Sequence, residues 1–144
     1  MIHPFKETIE KQYKNREKLF ANPDILPEFE LITMKAIQTI AHEIDPRFCD
    51  WEEALNYMYE SAMNLDFDVA LIGCGAYGMP LAAKLKASGK TAIHLGGALQ
   101  LLFGIKGKRW DDMPQGKLYN EYWVRPLENE RPRDAKSVED ACYW

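Results

Sequence analysis

Asp68-Val-Ala-Leu-Ile-Gly-Cys-Gly-Ala-Tyr-Gly78 decides how this chain is read. Val69 to Ile72 is a continuous apolar run of strand length, as expected for a strand covered on both faces. Gly73, Gly75 and Gly78 follow in the G-x-G-x-x-G spacing. Pro80 stands where a first helical turn tolerates proline, and Leu81 to Lys86 continues as helix. In such a turn the first glycine permits the sharp bend, the second admits a phosphate to the backbone, and the third lets helix and strand close. The helix N-terminus aims its free N–H groups at any anion held there. Gly73, Gly75, Ala76, Tyr77 and Gly78 are therefore candidate ligand-binding residues; a tight strand-to-helix turn without a ligand is the plainer alternative.

Downstream, Gly89 suits a left-handed helix cap. Thr91 to Leu95 then forms a second apolar strand, and Gly96-Gly97 opens a third helix through Leu99, Leu101, Leu102 and Phe103. A β-α-β-α order with short connections implies a parallel sheet with right-handed crossovers. The two strands are expected to be adjacent, parallel, central and buried. Gly96 and Gly97 would bring a second helix start to the same crevice. His94 is either a satisfied core imidazole or a proton donor and phosphate contact. Lys106 and Arg109, beside Trp110, are either a solvated basic turn or contacts to a diphosphate.

Upstream, Met1 to Phe5 reads as the end of a strand whose His3 could face the crevice. An amphipathic helix is expected from Lys6 to Phe20, with Ile9, Tyr13, Arg16 and Phe20 on one face. Phe29 to Met34 reads as a strand, built on Phe29-Glu30-Leu31-Ile32, and Lys35 to His42 as a short helix. Asp50 with Glu53 forms a capping box for a helix whose stripe is Trp51, Ala54, Leu55, Met58 and Ala62. Residues 1–109 thus form an α/β domain, Rossmann-like and three-layered, with a small, mostly parallel sheet. Residues 110–144 carry Trp110, Tyr119, Tyr122, Trp123, Tyr143 and Trp144 with little periodicity. They read as an irregular, aromatic-rich C-terminal tail packed on the domain or on a partner.

The formal net charge of -4 and pI near 5.4 disfavour a nucleic-acid surface, which needs a basic stripe. Cys49, Cys74 and Cys142 have no metal or disulfide spacing, which points to a reducing cytoplasm. No apolar run has membrane-spanning length. An NAD enzyme should place an acid after the second strand to hold the ribose. Here His94-Leu95-Gly96-Gly97 occupies that place, and no Asp or Glu lies between Asp68 and Asp111. Asp66-Phe67-Asp68 matches a metal-binding D-x-D pattern, but it precedes the strand and so belongs to the wrong end of the sheet.

The chain resembles the C-terminal half of bacterial proteins associated with surface-polysaccharide genes and related to the GT-D glycosyltransferases. The stretches that carry the resemblance are His3-Pro4-Phe5, Ile25-Leu26-Pro27 with Phe29-Glu30-Leu31, Asp68 to Gly78, Lys90 to Trp110, Asn120 to Pro126, and Cys142-Tyr143-Trp144. The resemblance implies a Rossmann-like fold and a glycosyltransferase-like domain that binds a nucleotide-sugar or a phosphorylated sugar at the glycine-rich turn. GT-D enzymes hold their divalent metal with an Asp-x-Glu motif in an N-terminal half, which this sequence lacks. No cofactor is therefore expected in this chain, and no catalytic residue is assigned. The chain is expected to form a homo-oligomer or to dock on such a half. A non-catalytic assembly module with an empty glycine turn is the alternative.

Overall fold

The computed structural model describes residues 1–40 and 44–144. Among them, strands β1 (Ile2–His3), β2 (Met34–Lys35), β3 (Val69–Ile72) and β4 (Thr91–His94) form one sheet in the order β2-β1-β3-β4. Every pairing is parallel. Ile2 is the hub of the register, opposite Met34 on one side and Ile72 on the other. The ladder continues past the strands, where Gly73 N–H donates to Ile2 O at 2.9 Å and Leu95 N–H to Ile72 O at 2.9 Å.

Alternate side chains of β3 feed two cores, as the strand period requires. Ala70 and Ile72 face a first core with Ala54, Leu55, Met58 and Ala62 of α3 (Trp51–Met63) and Leu81 and Leu85 of α4 (Gly78–Ala87). Leu71 packs on a second core. There it meets Phe5, Ile9 of α1 (Lys6–Tyr13), Leu19 of α2 (Arg16–Leu19), Leu99 of α5 (Ala98–Leu102), Phe103 and Trp123. The chain is thus α/β, with helices on both faces of the sheet. The chain leaves β1 toward the second core and β3 toward the first.

Several expectations need correction. Strand β4 is adjacent and parallel to β3, but it is the edge strand and not central. Ile93 keeps 44 % of its surface and Val69 keeps 44 %. An apolar run does not distinguish a strand covered on both faces from one covered on the Ala92 side alone. The expected helix over residues 6–20 breaks at Lys14-Asn15. Its buried residues are Thr8, Ile9, Gln12 and Leu19, because polar Thr8 and Gln12 find partners inside. The strand expected over Phe29 to Met34 forms only at its end, as Met34–Lys35. Residues 36–40 are not helical: Ala36 N–H donates to His3 O at 3.2 Å and prolongs the ladder. The last part of that expected helix, Ala41-His42, lies outside the described residues. The capping box holds, with one change. Asp50 accepts from Glu53 N–H at 2.8 Å, but the Glu53 carboxylate accepts from Cys49 N–H at 2.6 Å. Gly89 takes φ +82 as a left-handed cap.

No seam separates residue 109 from 110, since α6 (Lys108–Asp111) runs across that point. Trp123 is 3 % exposed, and its indole N–H donates to Leu19 O at 2.7 Å. Trp144 packs edge-on against Phe5 with ring centroids 6.1 Å apart. The tail's largest rings are covered by their own chain, so they supply no argument for a second copy. Glu130, 3 % exposed, reaches across to the start of α1. One oxygen accepts from Glu7 N–H at 2.7 Å and Thr8 N–H at 3.3 Å, and the other accepts from the Thr8 hydroxyl. A carboxylate 122 positions away along the chain therefore satisfies first-turn donors. Glu130→Ala should cost about 2–3 kcal/mol, since it strands buried donors. Urea unfolding measures this, and Glu130→Gln should recover part of the loss.

Candidate functional site

Parallel sheets open crevices outside the carboxyl ends of neighbouring strands whose connections leave for opposite faces. Here that place lies between β1 and β3, and a cavity of about 400 Å³ occupies it. His3-Pro4-Phe5 after β1, Gly73 to Tyr77 after β3, and Gly96-Gly97 after β4 contribute to its wall. Of the sequence-predicted residues, Gly73, Gly75, Ala76, Tyr77, Gly96 and Gly97 come together there. Gly78, His94, Lys106 and Arg109 do not line it.

The glycines serve different purposes. A side chain at Gly73 would meet Gly96 O and the His3 ring at 2.7 Å, so this residue lets three strand ends close on one another. Gly75 holds the sharp bend: its φ is +56, and nothing lies within 4 Å of where its Cβ would be. It is the position at which the turn's backbone is open. A Cβ on Gly97 would meet the Tyr143 ring at 2.7 Å, so that backbone is covered. A Cβ on Gly78 would fall 2.2 Å from the His94 imidazole, which packs there with a buried Nδ1 that has no hydrogen-bond partner among the described residues. His94 is thus a packing residue against the α4 N-terminus.

The basic pair is also occupied elsewhere. The Lys106 ammonium lies 5.5 Å from the Tyr119 ring centroid. The Arg109 guanidinium stacks over Tyr143 at 4.7 Å, donates to its hydroxyl at 2.9 Å and pairs with Glu139. Gln100, 1 % exposed, donates to Tyr143 O at 3.2 Å. Arg109 and Gln100 together hold Tyr143 as a wall of the cavity.

Sequence reasoning missed much of the aromatic wall. Trp51, read as core, keeps 44 % of its surface and stacks on Tyr77 with centroids 5.2 Å apart and planes 9° from parallel. The Tyr77 hydroxyl is hydrogen-bonded to Thr39 Oγ1 at 3.0 Å. Tyr143 and Trp144 close the opposite part of the wall. The available signal for Trp51 was its place on the first turn of a helix, where half of a large ring escapes the core.

No side chain in the cavity's described lining carries a formal charge. His3, 3 % exposed, is desolvated and its pKa falls to about 3. Its Nδ1 accepts from Phe5 N–H at 3.0 Å, which places the ring proton on Nε2. Burial pushes the Cys74 thiol up to about 12. Neither group is a base or nucleophile at neutral pH. The arrangement suits a ligand with a planar, uncharged part held against rings. Among the described residues no group of three His, Cys, Asp or Glu side chains is placed to hold a metal ion. Asp66 and Asp68 border a separate hollow with Phe29 and Val69, at the amino end of β3. No helix among the described residues is long and apolar enough to cross a membrane. No protein-family model, curated protein or solved structure matches the chain.

The neutral His3 links stability to pH. Its folded pKa lies below the ordinary imidazole value of 6.5, so the unfolded chain binds the extra proton. Its contribution is complete above pH 6.5 and is lost as pH falls toward 3, at up to about 1.4 kcal/mol per pH unit. Urea unfolding between pH 7 and 4 should show this slope, and His3→Gln should flatten it.

Proposed function

We propose that this chain is a Rossmann-like binding domain for a nucleotide-sugar or related phosphorylated sugar, of the glycosyltransferase type used in surface-polysaccharide synthesis. The observation that carries the reading is the cavity between the ends of β1 and β3, with the open backbone of Gly75 on its wall and aromatic rings around it. Its volume falls in the range of small-molecule sites. The Trp51–Tyr77 stack offers a face to a base or a pyranose, as aromatic platforms do. The ten-residue α4 begins at Gly78, directly after the turn, and its dipole favours negative charge near that end. The resemblance to GT-D-related proteins supplies the substrate class. Because His3 and Cys74 are inert at neutral pH, the site's own work is binding and orientation, and the chemistry would fall to an Asp-x-Glu half.

Titration calorimetry with UDP, GDP and NAD is the direct test. A nucleoside diphosphate should bind more tightly than NAD. Trp51→Ala should weaken that binding by about tenfold, the loss of one stacking contact. Gly75→Ala should weaken it too, at a stability cost of about 1–2 kcal/mol because an alanine is strained at φ +56. Binding of NAD alone, or of none of the three, would show the reading to be wrong.

A further inference from the structure

We propose that a second cavity, at the β2 edge of the sheet, binds a small, multiply charged phosphate-type anion. It measures about 570 Å³ and lies among β2, the middle of α3 and residues 129–133. Lys6, Lys35, Arg47, Arg131 and Arg133 line it, against the carboxylates of Asp45 and Glu130. That is a local excess of positive charge in a chain whose formal net charge is -4. Both carboxylates are already committed. Asp45 pairs with Arg47 at 2.6 Å, and Glu130 is held by the N–H groups of Glu7 and Thr8. Lys6 pairs with Glu10 at 3.7 Å, so the uncommitted positive charge rests first on Lys35 and Arg131, which form no ion pair among the described residues.

The cations arrive from separate parts of the chain. Lys6 comes from α1, Lys35 from β2, Arg47 from the segment before α3, and the other arginines from the tail. Buried Pro132 anchors Arg131 and Arg133 to one wall. A solvated basic run would be local in sequence; these charges converge only through the fold. Like charges gathered around a hollow repel one another, and an anion bridging them relieves that repulsion. Guanidinium groups with an ammonium favour phosphate oxygens, which accept several charge-assisted hydrogen bonds at once. The bounded volume suits a small ligand. Ile37 and Gln38 line both this cavity and the neutral one, so the two sites share a wall.

Calorimetry of the full chain with inorganic pyrophosphate at low ionic strength tests the proposal. Pyrophosphate should bind, and added sodium chloride should weaken it. Lys35→Ala with Arg131→Ala should lower the affinity by about tenfold or more, since each removes a hydrogen bond to a charged group. Both residues are exposed, so the fold should survive, which circular dichroism verifies. Trp51→Ala should leave pyrophosphate binding intact while weakening nucleotides, which separates this site from the neutral cavity. Absence of binding at millimolar pyrophosphate, equal affinity in the double variant, or loss of binding in Trp51→Ala would each overturn it.

Discussion

Ile2 and His3 must be hydrogen-bonded along both edges, and much of the structure follows from that. A two-residue strand has few groups with which to hold a place in a sheet. It keeps this place because Met34 lies opposite on one side and Ile72 on the other, and because Ile2 O receives Gly73 N–H. Ile2 itself is 3 % exposed and belongs to the first core. With β1 fixed between β2 and β3, its following helix lies over one face and the helix after β3 lies over the other. The crevice between them is a consequence of this divergence, whatever side chains line it. The sheet therefore positions the site before any functional residue is considered.

Buried polar groups do the second part of the work. Gln12 donates to Gly104 O at 3.1 Å and Tyr122 O at 2.9 Å, Gln100 donates to Tyr143 O, and Glu130 receives the α1 N-terminus. Each joins the strand-and-helix body to residues beyond 103. Apolar contacts alone would let the tail slide, because they are not directional. An internal amide or carboxylate left without its partner is costly, so these groups fix the tail in one register. The aromatic wall of the cavity depends on that register: Tyr143 is placed by Arg109 and Gln100, not by regular structure.

The parts of the fold legible in the sequence were those set by local rules. The glycine turn, the Asp50 cap, the Gly89 cap and the β3–β4 adjacency all rest on near neighbours in the chain. The displaced parts rest on distant partners. Thr8 and Gln12 face inward because Glu130, Gly104 and Tyr122 are there to bond them, so the apolar periodicity of residues 6–20 put Ile9, Tyr13 and Phe20 on the core side but missed these polar residues and the break. Of the strand expected over Phe29 to Met34 only Met34 pairs, continued by Lys35, because strand identity was decided by the backbone of β1. The five small residues of the candidate site and Tyr77 converged because their loops follow parallel strands. Lys106 and Arg109 were drawn to Tyr119 and Tyr143, rings too far along the chain for spacing to reveal. The edge position of β4 was equally hidden, since it depends on where the chain goes after α5.

The separation of charge between the two cavities bears on how a phosphorylated sugar would be held. The ring-lined cavity has aromatic side chains and one open glycine on its wall. Among the described residues no arginine or lysine lines it, and Arg109 is stacked over Tyr143 outside it. The cations stand across the wall made by Ile37 and Gln38. Placing five cationic side chains directly around the ring-lined cavity would have required covering them on the side of the packed tail, with several kilocalories per mole of desolvation for each buried charge. At the β2 edge they remain in water and keep their charge at little cost. Rings and cations are thus kept in different dielectric surroundings, joined by a two-residue partition whose backbone extends from β2.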